Sequence, residues 1–382
     1  MRKFKQIGAC CLIAVLTFSG PGLNAWAGSP EFARTQEEWS KLRDNVMEYE
    51  ELAGLVHEYN VTVKKNQLDI NDKKKDDLVT RDQYAQYYRD AADDARSSIS
   101  GDDPVSDANN AVNAARADKA ADENTEDLEV YRLTYDQAEA KLVADAKNLM
   151  ISYFKQKYEL EQSQLNLDSA QAAYQTVLVK QNAGMATQVN ILDAQETIQN
   201  TSVTIEKQRA SVEETRQKLC VMLGWKYNDA PEIKDIPAVD MEHLRAISPD
   251  ADKEKSIEKN YELNINKKKL KNASADITRE TLKRTINSNE QNINTALIKA
   301  YQEVMQANAA YEQAGLEFQL ESKNMETAKQ KYQLRLVSAL AYQNGERLYN
   351  AKRIAVKTAE LTLFSAVQSY DNAVNGLAST GG

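Results

Sequence analysis

Proline is scarce in this chain, and two long stretches lack it altogether. The 382 residues include six prolines, and none lies between residues 105 and 230 or after residue 249. A proline inside a helix costs about 3 kcal/mol, so these stretches can form long uninterrupted helices. Glycine and large aromatic residues are also few, and the mean hydropathy is −0.63. This composition favours extended coiled coils over compact domains with large apolar cores.

Cysteine and histidine are nearly absent, which excludes several kinds of site. Cys10 and Cys11 lie in an apolar N-terminal segment, so Cys220 is alone in the rest of the chain and cannot form an internal disulfide there. The two histidines, His57 and His243, have no second histidine or cysteine at metal-ligand spacing. No phosphate-binding loop, dinucleotide-binding motif or serine-hydrolase motif is present. We therefore expect no catalytic residue, no metal and no cofactor, and predict that the protein is not an enzyme.

The first 27 residues have the pattern of a secretory signal peptide. A basic segment precedes an apolar run from residue 7 to 18, which is too short to span a bilayer, and Ala25-Trp26-Ala27 matches a cleavage site. No other segment is apolar enough to span a membrane as a helix, although contact with a membrane is compatible with the sequence. We expect an extracytoplasmic protein, associated with the outer membrane or the cell envelope.

The balance of charge narrows the range of partners. The predicted leader carries three of the 48 basic residues and none of the 57 acidic ones, so the chain that follows has a net charge of −12. Nucleic-acid binding requires a basic surface. We therefore expect no nucleic-acid partner.

Two stretches of the chain, 151 residues apart, repeat the same seven-residue pattern. After each predicted turn, an apolar or aromatic residue recurs at every seventh position, and a similar series precedes each turn. Heptad spacing of this kind is typical of paired helices. The chain is therefore predicted to be all-α, with two tandem repeats of a long antiparallel coiled-coil hairpin. The predicted seam residues are Ile191, Ile198, Ile205, Val212 and Leu219 in the first repeat and Tyr342, Tyr349, Val356, Leu363 and Tyr370 in the second.

Punctuation along the chain predicts the boundaries of these repeats. The pattern indicates long helices over residues 33–98, 124–181, 187–223, 252–333 and 338–377. Matching Val61 and Val63 to Leu263 and Ile265, an offset of 202, indicates about 51 extra residues in the first repeat. The predicted segments are a signal peptide (1–27), a first hairpin repeat (28–224, with a polar insert at about 70–130), a proline-containing linker (225–250), a second hairpin repeat (251–378) and a disordered tail (379–382).

The predicted turns carry a recognisable motif. The first turn has Gly184-Met185-Ala186-Thr187, followed by Leu192-Asp193-Ala194-Gln195, and its return helix closes with residues 219–224 in the pattern L-x-x-L-L-G, here with methionine at the fourth position. This resembles the TolC family of outer-membrane efflux proteins, which carry such a turn at the tip of each helical hairpin.

The resemblance implies a structure and a function. It implies that three protomers assemble into a hollow helical barrel, a passive conduit for efflux, whose hairpin tips meet a periplasmic adaptor protein joined to a pump. The residues that would face the adaptor are Gly184, Met185, Ala186 and Thr187 at the first tip and Leu336, Val337 and Ser338 at the second.

The sequence departs from the family pattern in three places. Arg335 stands where the second tip should have glycine, so we expect that turn to be made differently. Asn190 replaces an acidic residue that lines the tunnel mouth in many members. Residues 66–130 show no alternation typical of membrane strands, and residues 264–300 contain no aromatic residue. We therefore expect the helical tunnel architecture without the strands of a membrane barrel.

Other functions fit the same heptads. A half-polar seam suits a tunnel wall, whose helices contact neighbours on two sides, but it also suits an extracytoplasmic coiled-coil protein that binds at the cell surface or cell wall. A secreted pore-forming or phage-tail-like helical protein is a further possibility.

Overall fold

A computed structural model describes residues 34–42 and 44–381. The chain divides into two compact units, Met1–Asp44 and Asn45–Gly382, each of which is considered by itself. In the first unit, helix α1 (Gln36–Lys41) begins at Thr35, whose hydroxyl accepts from the Glu38 amide while the Glu38 carboxylate accepts from the Thr35 amide. This reciprocal cap satisfies two amide groups that a helix start leaves unpaired. The predicted signal peptide lies outside the described residues.

The second unit confirms the all-α prediction. Among the described residues, the only strands are β1 (Val46–Met47) and β2 (Glu232–Ile233), which form one short parallel pair. None of the described helices has both the length and the apolar character needed to cross a membrane. The helices are α2 (Leu52–Tyr59), α3 (Val61–Lys75), α4 (Arg81–Ser97), α5 (Pro104–Glu123), α6 (Leu128–Asn182), α7 (Gln188–Met222), α8 (Met241–Ala246), α9 (Pro249–Lys259), α10 (Tyr261–Asn272), α11 (Asp276–Gln333) and α12 (Ala339–Asn372).

Four long helices form two antiparallel hairpins. Helix α6 packs along α7 and α11 packs along α12, while α6 also contacts α12, so the four arms lie in the order α7, α6, α12, α11. With 55 and 58 residues, α6 and α11 are each about 80–90 Å long. The ten predicted seam residues are all buried or half-buried, and Leu219 and Leu363 are inaccessible to solvent. The two hairpins are joined by an ion pair between Glu161 of α6 and Arg353 of α12.

The continuous helices predicted over residues 33–98 and 252–333 are wrong, because each repeat breaks at a buried asparagine. Asn60 separates α2 from α3, with ψ of 127°; its side-chain oxygen accepts from the Thr62 amide and its Nδ2 donates to the Met222 carbonyl at 2.9 Å. Asn260 separates α9 from α10 in the same way, accepting from the Leu263 amide and donating to the Ala378 carbonyl at 2.9 Å. Each side chain therefore caps one helix and holds the end of the return arm.

These two asparagines also correct the alignment of the repeats. They are 200 residues apart, not 202, so Val63 corresponds to Leu263, and both side chains are buried. Val61, which the sequence comparison placed in the core, is 79% exposed. The apolar pattern continues across the break, which hides the change of register.

The polar insert of the first repeat is a helical hairpin of its own. Helices α4 and α5 occupy the position where the second repeat has only the short connection 273–275 between α10 and α11. Small buried side chains allow the two helices to approach closely: Ala85 and Ala92 on α4, and Ala114 and Ala121 on α5. At its base the insert is tied to the second repeat. Asn272 Nδ2 donates to the Thr125 carbonyl at 2.9 Å, and Lys268 lies 2.8 Å from Asp127.

The end of the last arm closes against the Asn260 break. After α12, residues 373–377 form one wider helical turn in which Gly376 has φ of +110°. A Cβ atom at Gly376 would lie 2.5 Å from the Lys259 carbonyl oxygen, far inside van der Waals contact. Both the backbone angle and the space therefore require glycine at this position.

Two glycine-to-alanine changes should have opposite effects on stability. Gly376→Ala should lower the free energy of unfolding by about 2 kcal/mol or more, because the new methyl group meets Lys259 and the positive φ is strained. Gly315, inside α11, has no atom within 4 Å of its Cβ position, so Gly315→Ala should raise the free energy of unfolding by about 0.5–1 kcal/mol. Urea denaturation followed by circular dichroism would measure both, and equal effects would contradict this account of the chain end.

Candidate functional site: the two hairpin tips

The first tip is a compact reversal between α6 and α7. Gly184 has φ of +72°; its amide donates to the Gln181 carbonyl and the Met185 amide donates to the Lys180 carbonyl, both at 2.8 Å. These two bonds satisfy carbonyls at the end of α6 in the manner of a Schellman motif. Thr187 then begins α7: its hydroxyl accepts from the Asn190 amide at 3.4 Å, and the Asn190 side-chain oxygen accepts from the Thr187 amide at 2.9 Å.

The second tip is built in the same way, so the prediction that it must turn differently is wrong. Arg335 takes the place of Gly184 with φ of +60°; its amide donates to the Tyr332 carbonyl at 2.9 Å, and the Leu336 amide donates to the Lys331 carbonyl at 2.8 Å. Ser338 begins α12 by accepting from the Ala341 amide at 3.2 Å. A residue with a Cβ adopts this conformation at a cost of about 1–2 kcal/mol, which the hydrogen bonds of the loop offset.

Both tips expose the same pair of apolar side chains. Met185 and Val189 are 73% and 62% exposed at the first tip, and Leu336 and Leu340 are 70% and 45% exposed at the second. Each residue of the second pair lies 151 positions after its counterpart in the first. Ala186 and Val337, also predicted to face a partner, are half-buried instead.

The sequence analysis did not single out Val189 and Leu340. They lie one turn into the return helices, outside the heptad seam that identified the hairpins. Applying the 151-residue offset to exposed positions as well as to the seam would have found them. Apolar groups gathered at an exposed end are typical of contact sites.

The tips differ in charge. The first has one cation near its loop, Lys180, whereas the second has Lys329, Lys331 and Arg335. All four side chains are exposed, and none makes an ion pair with a described residue. At the second tip the rings of Tyr332 and Tyr342 also stack, with centroids 4.7 Å apart.

The residues that the sequence offered for chemistry have structural contacts. His57 Nδ1 lies 2.7 Å from a Glu139 carboxylate oxygen, and His243 Nε2 lies 2.9 Å from one of Asp371. Cys220 is buried, and desolvation raises the pKa of its thiol, which disfavours the nucleophilic thiolate. Within residues 34–42 and 44–381, no group of three histidine, cysteine, aspartate or glutamate side chains could hold a metal ion.

Comparison with solved structures identifies the fold. The sequence matches no protein-family model and no curated protein. The structure is similar to that of CusC, with a TM-score of 0.54, 15% identity and coverage of 87% of this chain and 96% of CusC. It is also similar to the outer membrane protein VceC from Vibrio cholerae (TM-score 0.51, 9% identity, 87% and 97% coverage) and to the outer-membrane channel OprN (0.50, 11%, 88% and 92%).

The chain has the TolC fold. The three proteins are TolC-family outer-membrane channels, and the alignments cover nearly their full length. The TolC-like resemblance predicted from the two tips is therefore confirmed at the level of the fold.

The two loops allow a test of their backbone strain. Arg335→Gly should slow hydrogen exchange of the Leu336 amide up to about fivefold, because relief of the left-handed strain exceeds the added flexibility of the unfolded loop by at most about 1 kcal/mol. Gly184→Ala should accelerate exchange of the Met185 amide by a similar factor, since it introduces that strain. Exchange measured by nuclear magnetic resonance or mass spectrometry reports these local openings; unchanged protection in both variants would contradict the assignment of equivalent loops.

Proposed function

We propose that this TolC-like protein is the exit-tunnel component of an efflux system and that its hairpin tips dock to an adaptor protein. The observation that carries this proposal is the repeated tip. Two loops with the same hydrogen bonds present the same apolar pair at the far end of long paired helices, in a chain with the TolC fold. Met185, Val189, Leu336 and Leu340 are the principal contact residues in this proposal.

The order of the arms supports self-association into a tunnel. Helices α7 and α11 lie at the two edges of the four-helix layer and carry exposed apolar side chains. A second copy whose α11 packs on α7 would cover both sets, and a ring of copies would leave no edge uncovered. We propose three copies, as the family resemblance implies. The exposed edge residues are Val189, Leu192, Val203 and Val221 on α7 and Ile277, Ile298, Met305, Leu316 and Leu320 on α11.

In this proposal the protein carries out no reaction. The assembled arms provide a walled path, and the partner pump supplies the energy for export. The protein would lie in the cell envelope in association with the outer membrane, where the adaptor reaches its tips from the periplasmic side.

Substituting the exposed tip residues tests docking. Met185→Asp and Leu336→Asp should each weaken binding of a purified adaptor protein from the same genome at least tenfold, because each places a carboxylate in an apolar contact. The matched control is Val105→Asp: Val105 is 71% exposed, lies far along the chain in the insert, and is in the first turn of α5, where an acidic residue is favourable. If both tip variants bind the adaptor as the parent chain does, the tips are not the docking surface.

Substituting the edges tests assembly. The mature chain should have the mass of a trimer in light scattering at micromolar concentration, and Val203→Asp with Met305→Asp should shift it toward the monomer, because charges would face an apolar contact. Val61→Asp, at another exposed position in the first turn of a helix, should leave the mass unchanged. A monomer mass for the parent chain over this range would instead favour the surface coiled-coil function.

A further inference from the structure

We propose that the surface docking on the second tip is acidic: a protein surface on which carboxylates surround the apolar site for Leu336 and Leu340 and pair with Arg335. This inference rests on the proposed docking of the tips and adds the chemistry of the partner. Three separate observations support it.

The first observation is that Arg335 occupies a position that suits glycine better. Its φ of +60° is one of two positive values among described residues other than glycine. At the equivalent position of the first tip, Gly184 makes the same loop with the same two hydrogen bonds and without strain. A glycine would therefore serve the turn, so the arginine side chain has a use other than forming it.

The second observation is that the Arg335 guanidinium has no carboxylate to pair with in the structure. The side chain is exposed and makes no ion pair or side-chain hydrogen bond with a described residue. No aspartate or glutamate occurs from residue 327 to 345, so the tip lacks an acidic neighbour on its own loop. A guanidinium presents several donors in a planar fork that suits carboxylates.

The third observation is the local excess of positive charge. Lys329, Lys331 and Arg335 give this tip three cations in a chain whose net charge is −9. Their spacing along one turn and the adjoining loop keeps them within about one Debye length of each other at physiological salt, so they act on a partner together. Since each subunit of a ring would contribute one such tip, an acidic partner would be steered to the tunnel end.

The contrast between the tips favours a protein over an anionic lipid or wall polymer. Both tips expose the same apolar pair, but only the second is strongly basic, and the first is followed by Asp193 and Glu196. A uniformly anionic surface would be expected to meet cations on both tips. One partner with two distinct contact areas accounts for the shared apolar pair and for the difference in charge.

The test is a titration of the full mature chain with the purified adaptor at about 50 mM and about 300 mM salt. Arg335→Gly should weaken binding roughly tenfold at low salt and reduce the dependence of affinity on salt, and Arg335→Glu should weaken it further. Lys65→Gln removes an exposed cation from α3 and is the matched control, expected to leave binding unchanged. Arg335→Gly is informative because it preserves the loop, so loss of binding cannot be attributed to a disrupted tip.

Comparison with Leu336→Asp separates this inference from the proposed function. If Leu336→Asp abolishes binding while both Arg335 variants bind normally, the tips dock but the partner surface is not acidic, and the inference is overturned. If neither Leu336→Asp nor the Arg335 variants change binding, the proposed docking itself is overturned. Replacing carboxylates on the adaptor with lysine should identify one whose loss is rescued by Arg335→Glu.

Vesicles containing phosphatidylglycerol provide the remaining arm. We expect the parent chain not to sediment with them. Sedimentation that is lost in Arg335→Glu, together with unchanged adaptor binding, would assign the cations to lipid headgroups and overturn the proposal of an acidic protein partner.

Discussion

Each repeat depends on one buried asparagine at its base. A long arm that must break and continue in a new direction leaves amide and carbonyl groups without helical partners, and burying them unpaired would be costly. Asn60 and Asn260 resolve this with a single side chain each, which caps the following helix with its oxygen and donates its amide to the end of the return arm. The start and the end of each repeat are thereby held together, and the arms extend from that point.

At the opposite end, one backbone geometry is made by two different residues. Glycine and arginine both occupy the left-handed region in loops that share their hydrogen bonds and helix starts. Because the loop is specified by the backbone bonds and by Thr187 and Ser338, the residue at its bend can vary. That freedom allows the tips to keep a common apolar pair while differing in charge, which is how two equivalent hairpins can offer a partner two distinct contacts.

The seam of the hairpins could be predicted because it is local and periodic. Heptads from Ile191 to Leu219 and from Tyr342 to Tyr370 specify helices, their pairing and their repetition without any knowledge of distant contacts. The tip residues followed from a short motif for the same reason. The breaks at Asn60 and Asn260 could not be predicted in this way, since each depends on a carbonyl more than 110 residues away. The turn at Arg335 was misjudged because a preference for glycine was taken as a requirement.

The sequence by itself determined that the chain is helical, that it contains two hairpins 151 residues apart, and where each hairpin reverses. Hydrophobic period and helix caps are properties of neighbouring residues, and neighbouring residues are sufficient to specify them. Only the tertiary structure decided the order of the arms, the true 200-residue correspondence at the base, the helical form of the insert and the exposure of Val189 and Leu340. These depend on which surfaces meet across long separations, and the pattern of apolar residues along a helix does not name the partner that covers them.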